Sequence, residues 1–199
     1  MKIVISSTNL HKIRETRAIL KQSFRCDFLS LHDFPDYTPP EETGVTFEEN
    51  AFLKAIHASK ALKSWVIADD SGLVIPSLNN EPGVKSARYA GEKATDKENR
   101  EKLIKALEKL DEYERTGYFV CALALASPEG IIKQVKASCE GTLLTSPRGS
   151  GGFGYDPLFI KYDYNKTLAQ LDEETKNRIS HRRKALEKLG STLESVITP

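Results

Sequence analysis

The fold class that the sequence predicts is α/β: one mixed β-sheet flanked by helices. Three observations predict it. The chain opens on a strand, a polar turn and a helix, which is how an α/β chain begins. Thr46 with Glu49 and Thr95 with Glu98 have the spacing of a capping box, so each opens a helix. Ser127-Pro128-Glu129-Gly130 is a hairpin turn between two apolar runs, which adds antiparallel strands to the sheet.

Each element has a local reason. Lys2 to Ser6 is a strand because Ile3, Val4 and Ile5 form a short apolar run. Asn9 to Lys21 is a helix with a broken apolar stripe of Ile13, Ala18, Ile19 and Leu20. Cys26 to Leu31 is a second strand with a weaker pattern. Asp33 to Val45 contains Pro35, Pro39, Pro40 and Gly44 and must be a loop. The helix from Thr46 to about Lys63 buries Phe47, Ala51, Ala55, Ala58 and Leu62. Trp65 to Ala68 is a strand ending at Asp69-Asp70-Ser71-Gly72, after which Leu73 to Ile75 resumes an extended pattern.

Pro82-Gly83 is a turn, and a charged helix runs from Thr95 to about Leu110 with Leu103, Ile104 and Leu107 inward. The hairpin strands are Gly117 to Ala126 and Ile131 to Cys139, with one more strand expected at Gly141 to Leu144. A glycine-rich segment from Ser146 to Gly154 leads to an extended stretch at Leu158 to Ile160. Thr167 to Val196 is helical in at least two pieces that break near Ile179-Ser180, with Leu186, Leu189, Leu193 and Val196 as a core stripe. There is no repeat, low-complexity tract or linker. The expected organisation is a single domain over residues 1–199, with the hairpin forming a second lobe.

Composition narrows the function classes. The 199 residues carry 29 Lys plus Arg against 28 Asp plus Glu, a net charge of +1. That balance argues against a nucleic-acid or membrane-surface binder, which normally has a basic excess. Phe119 to Ala126, the longest apolar candidate, falls far short of the roughly 18 residues of a membrane helix. Polar residues from Asn9 to Arg14 leave no room for a signal-peptide core. Cys26, Cys121 and Cys139 lack metal-site spacing and fit reduced thiols in a cytoplasmic protein.

Four constellations carry possible chemistry. Ser6 to Lys12 lies where the first strand turns into the first helix, where unsatisfied backbone N–H groups favour an anion. It reads as a phosphate cradle with Lys12 as a point charge, or as a plain Thr8 or Asn9 helix cap with a solvated lysine. Glu41, Asp69 and Asp70 are hard oxygen ligands with no His or Cys beside them, a set suited to Mg²⁺. One carboxylate would hold the metal while another takes a proton from water. The alternative is a turn with solvated acids.

In the third, Ser150 to Pro157, glycines allow a flat ligand close to the backbone, Phe153 offers a stacking face, and Asp156 can bond a base edge or an arginine. The alternative is a surface turn anchored by an aromatic. The fourth runs from Lys176 and Arg178 through Ser180, His181, Arg182, Arg183 and Lys184. It reads as a solvated basic face or as donors aimed at a carbonyl-bearing base or a phosphate. Lys54, one turn from Asn50, faces the same crevice or belongs to a polar helix face.

Taken in order, these segments resemble the Ham1/RdgB family of non-standard purine nucleoside triphosphate pyrophosphatases, also called inosine triphosphate pyrophosphatases. The matching pieces are Ser7 to Lys12, Glu42 to Ala51, Ala68 to Leu73, Pro82 to Tyr89, Gly152 to Pro157 and Ser180 to Arg182. The chain departs from the family's usual residues at Thr8, His11 and Lys85.

The resemblance implies a long central mixed sheet flanked by helices, two lobes with an active-site cleft between them, and a homodimer. It implies a Mg²⁺-dependent hydrolase that cuts ITP, dITP or XTP between the α- and β-phosphates. Asp70 would be the proton acceptor and a metal ligand, with Glu41 a further metal carboxylate and Asp69 beside them. Ser7, Thr8, Asn9, Leu10, His11 and Lys12 would cradle the triphosphate with help from Lys54, and Ser71 would touch substrate. Phe153, Gly154, Tyr155, Asp156, Lys176, His181 and Arg182 would form the base pocket, the last two offering donors to a 6-oxo group. The competing readings are a Maf-type pyrophosphatase acting on pyrimidine triphosphates and a catalytically silent nucleotide-binding protein.

Overall fold

A computed structural model describes residues 1–197 of the chain. Six strands form one mixed sheet: β1 (Lys2–Ser6), β2 (Asp27–Ser30), β3 (Trp65–Val74), β4 (Thr116–Ser127), β5 (Gly130–Leu143) and β6 (Phe159–Lys161), in the order β2-β1-β3-β4-β5-β6. Strand β1 pairs in parallel with β2 and β3, and β5 pairs antiparallel with β6. The helices are α1 (Leu10–Ser23), α2 (Phe47–Leu62), α3 (Asp96–Leu107), α4 (Glu173–Ile179) and α5 (His181–Ile197). The expected mixed α/β sheet is what forms.

The helix starts follow local chemistry. Thr46 and Thr95 each accept a hydrogen bond from the backbone three residues on, and Glu49 and Glu98 reach back to the caps. Asn9 caps α1. The C-terminal helical region divides at Ser180, which ends α4 in extended backbone. Helix α3 ends at Leu107, three residues before the expected Leu110.

Two expectations are corrected. Strand β3 does not stop at Ala68 but runs through Asp69, Asp70 and Gly72 to Val74. The buried acids stay in extended backbone because cations meet them there, and Gly72 leaves room for Ser86, whose Oγ would lie 2.4 Å from a Cβ. The separate strand expected at Gly141 to Leu144 is instead the end of β5. A Cβ on Gly141 would lie 2.2 Å from the Ile160 carbonyl oxygen, so glycine lets β6 approach.

The chain forms two compact units. The first comprises Met1–Asp70, Cys121–Ala137 and residues 182–197; the second comprises Ser71–Val120 and Ser138–His181. Each has its own core. In the first, Ile3, Ile5 and Ile67 pack with Ile13, Ile19 and Leu20 of α1 and with Leu186, Leu189 and Leu193 of α5. In the second, Leu73, Phe119, Leu143 and Phe159 pack with Leu103 and Leu107 of α3. Cys26, Cys121 and Cys139 are thiols rather than disulfides, and Cys121 and Cys139 are buried. Among the described residues no helix is long and apolar enough to cross a membrane.

Candidate active site

The first unit concentrates opposite charges around the end of its β3 segment. Asp69 and Asp70 are 6% and 5% exposed, so neither is a solvated turn acid. Asp69 Oδ1 lies 3.3 Å from Lys12 Nζ, and its Oδ2 accepts from Arg182 Nη2 at 3.1 Å. The Cys121 thiol also donates to Asp69. Burial alone would raise the Asp69 carboxyl, but Lys12, Arg182 and Lys54 more than reverse this and hold it well below the usual carboxylate range.

Asp70 has different partners. Its Oδ2 accepts from Asn50 Nδ2 at 3.1 Å, and its Oδ1 lies 3.5 Å from Lys54 Nζ. Lys54 donates to Glu42 Oε1 at 2.7 Å. Burial dominates at Asp70 and moves its carboxyl above the ordinary value, although Lys54 and Lys12 oppose the rise. For Lys54, burial is outweighed by Asp70, Glu42 and Asp69, which keep it a cation.

Several expectations change here. Glu42, not Glu41, reaches the cluster; Glu41 is exposed. Asp69, expected as a metal ligand, is bonded to two cations and a thiol. Arg182, expected at the base, is wholly buried, with its guanidinium on Asp69 and on Glu15 of α1. Lys12 is no solvated lysine, being ion-paired with Asp69. Asn9, however, does serve as a plain helix cap: its Oδ1 accepts from the N–H groups of His11 and Lys12. Ser7 Oγ accepts from the Asn9 N–H, while Thr8, Leu10 and His11 are exposed. Ser71 follows Asp70 on β3 and is half-buried.

The second unit holds the glycine-rich turn. Gly152 and Gly154 have φ of 69° and 58°, the left-handed region that favours glycine. Asp156 Oδ2 accepts from the Phe153 N–H at 2.8 Å and from Lys176 Nζ at 2.5 Å. Lys176 Nζ also lies 4.6 Å from the centre of the Phe153 ring. Tyr155 donates its hydroxyl hydrogen to the Ser86 carbonyl. His181 stacks on Phe119, ring centres 5.0 Å apart and planes 13° from parallel. Lys176 and His181 are each 5% exposed, so they do not belong to a solvated basic face.

Two groups at this turn escaped the sequence reading. Asp96 accepts from the Gly154 N–H at 2.7 Å, and Arg100 donates to the Gly154 carbonyl at 2.7 Å. Their spacing of four on α3 marks a shared face, but the sequence does not name its neighbour.

Known proteins resemble this chain over nearly its whole length. The model of the Ham1 family matches residues 3–192. A dITP/XTP pyrophosphatase of Protochlamydia amoebophila is 53% identical over 197 residues, covering 98% of this chain and 99% of that relative. One from Chlamydia caviae is 50% identical over 198 residues, covering 99% and 96%. Among solved structures, a HAM1 protein from Coxiella burnetii superposes with a TM-score of 0.86 at 41% identity, covering 98% of this chain and 99% of that one. The Ham1 protein of Staphylococcus aureus gives 0.85 at 43% identity, covering 98% and 100%. With likeness along almost its full length in both sequence and fold, the chain belongs to the Ham1 family.

Proposed function

We propose that this protein hydrolyses non-standard purine nucleoside triphosphates, dITP, ITP, XTP and dXTP, to the monophosphate and pyrophosphate, cleansing the nucleotide pool. The observation that carries the chemistry is Asp70: a buried carboxylate with a raised pKa, held by Asn50 and flanked by Lys54 and Glu42. Asp70 takes a proton from a water molecule whose oxygen bonds to the α-phosphorus. The bond from that phosphorus to the α,β-bridging oxygen breaks, and its electron pair leaves with pyrophosphate. A base of raised pKa is the stronger proton acceptor.

The residues fit Mg²⁺. Glu42 and Asp70 would each offer a hard carboxylate oxygen, and Mg²⁺ takes one or two carboxylates and completes its shell with water and phosphate. Among the described residues no group of three acidic, His or Cys side chains could hold a metal by itself, so Mg²⁺ would need water and phosphate oxygens as further ligands. When bound there, Mg²⁺ supplies positive charge against the triphosphate, which carries about four negative charges. Lys12, Lys54 and the Ser7–Lys12 turn supply the chain's own share of that charge and its hydrogen-bond donors.

For the base, the proposal draws on Phe153 as a stacking face and on Lys176 and His181 as donors to the 6-oxo group of hypoxanthine or xanthine. Adenine's amine leaves such donors unpaired, which costs binding. Arg182 serves the same end indirectly, since its ties to Asp69 and Glu15 fix the first turn of α5, where His181 stands. A homodimer and a cytoplasmic location, in keeping with cysteines that form no disulfide among the described residues, complete the proposal.

The test is a nucleotide panel with and without Mg²⁺, scored for monophosphate and pyrophosphate. Asp70→Asn is expected to remain folded and lose about 100-fold or more in turnover of dITP. Near-wild-type hydrolysis by that variant, or equal turnover of ATP and dITP by the wild type, would reject the assignment.

A further inference from the structure

Asn50 is wholly buried on α2 and joins two segments that the proposed chemistry needs. Its Oδ1 accepts from the Gly44 N–H at 2.8 Å, and its Nδ2 donates to Asp70 Oδ2 at 3.1 Å. The orientation of the amide follows from chemistry. A backbone N–H can only donate, so the atom opposite Gly44 must be the carbonyl oxygen, which turns the NH₂ group on Asp70. Residue 44 is shaped to this contact: a Cβ there would lie 2.6 Å from Asn50 Oδ1. Gly44 stands two residues after Glu42, so the same amide anchors the loop that brings Glu42 to Lys54.

We propose that Asn50 is a positioning residue for proton transfer: held by Gly44, it keeps Asp70 turned so that Oδ1, not Oδ2, receives the proton from the attacking water. The inference rests on the reading of Asp70 as proton acceptor. Protonating Oδ2 would disrupt a buried hydrogen bond whose loss leaves a polar group unsatisfied. Oδ1 faces Lys54 at the longer 3.5 Å. The last torsion of an aspartate is broad and soft, so without the Asn50 donor the carboxylate swings and loses its aim. That loss falls on the chemical step. The groups proposed to bind the base are untouched, and the assay at saturating Mg²⁺ offsets a loosened Glu42 loop, so substrate binding persists while turnover drops.

Asn50→Ala and Gly44→Ala test this, each assayed on dITP at saturating Mg²⁺ beside Asp70→Asn, with the folded fraction measured by circular dichroism. Gly44 has no left-handed φ, so its dihedral angles suit alanine; the added methyl group presses first on Asn50 Oδ1 and then on Glu49 Cβ, 2.8 Å away. In both variants kcat per folded molecule is expected to fall about 10- to 100-fold, while KM for dITP stays within about twofold. A purely structural role would reduce thermal stability and leave kcat per folded molecule unchanged. An inactive Asp70→Asn beside full kcat in Asn50→Ala and Gly44→Ala would overturn the positioning role and leave the base in place. An active Asp70→Asn would overturn both. Should Asn50→Ala not fold, Gly44→Ala decides the question by the same two constants.

Discussion

Arg182 Nη2 lies 3.1 Å from Asp69 Oδ2 with both side chains buried, and a second arm of the same guanidinium pairs with Glu15. Lys12 approaches the other Asp69 oxygen at 3.3 Å. Asp69 is therefore the counter-charge that allows two cations to sit inside the first unit. Removing one partner of a buried ion pair leaves the others uncompensated, which is more damaging than the pair is stabilising. Asp69→Ala is expected to lower unfolding stability by about 3–5 kcal/mol, measured by urea denaturation. A loss under about 1 kcal/mol, together with a weakened Mg²⁺ response, would make Asp69 a metal ligand instead.

The same cluster sets a pH dependence. Burial acts to raise the Asp69 carboxyl, yet Lys12, Arg182 and Lys54 leave it well below the ordinary range. Its folded pKa thus lies under the unfolded value of about 3.9. The stability due to its ionised form is fully present above that value and is lost as pH falls toward the folded one. Thermal unfolding between pH 3 and pH 7 should show the wild type losing Tm below about pH 4. Asp69→Asn should start lower at pH 7 and decline less, so that the two curves converge in acid. Parallel curves would contradict the ion-paired state.

Glu41 and Glu42 are adjacent, yet only Glu42 is seen on Lys54, at 2.7 Å. Replacing Glu42 removes one of the two oxygens proposed for Mg²⁺ and frees Lys54 to draw closer to Asp70. Glu42→Gln is expected to raise the Mg²⁺ concentration for half-maximal activity by about tenfold or more. Glu41→Gln should change it by less than about twofold. Magnesium titrations of initial rate compare the two, and the opposite order would return the metal role to Glu41.

What was legible in the sequence depended on how local its cause was. Thr46 with Glu49 and Thr95 with Glu98 mark helix starts because capping involves neighbours in the chain. The α4–α5 break at Ser180 was visible for the same reason. Strand β3 reads as shorter than it is because two adjacent acids resemble a turn until their cations are known, and Arg182 stands 113 residues from Asp69. The basic run from Lys176 concealed two populations: Lys176, His181 and Arg182 are buried, while Arg178 and Lys184 are exposed. Between Glu41 and Glu42 an irregular loop offers no periodicity to choose by. Asn50 was readable as a neighbour of Lys54 on one helix face, but its bond to Gly44 depends on how the loop folds back.

Asp156 gives the corresponding test for the base end. Its Oδ2 holds the Phe153 N–H and Lys176 Nζ together, and a Cβ on Gly152 would lie 2.1 Å from that same oxygen. The turn that presents Phe153 is therefore built around one carboxylate. Asp156→Ala takes its carboxylate away from the buried Lys176 and removes the acceptor that shapes the turn, at an expected loss of about 3–5 kcal/mol. If Phe153 is the stacking face, the folded fraction should show a KM for dITP raised about tenfold or more, with kcat at saturation little changed. Pyrophosphate has phosphates but no base, so its inhibition constant should hold. Asp156→Asn keeps an acceptor for the Phe153 N–H and loses only the ionic part, so it should fall between the two. Were pyrophosphate inhibition to weaken as much as dITP binding, the turn would serve the phosphates, and the base would have to be read elsewhere.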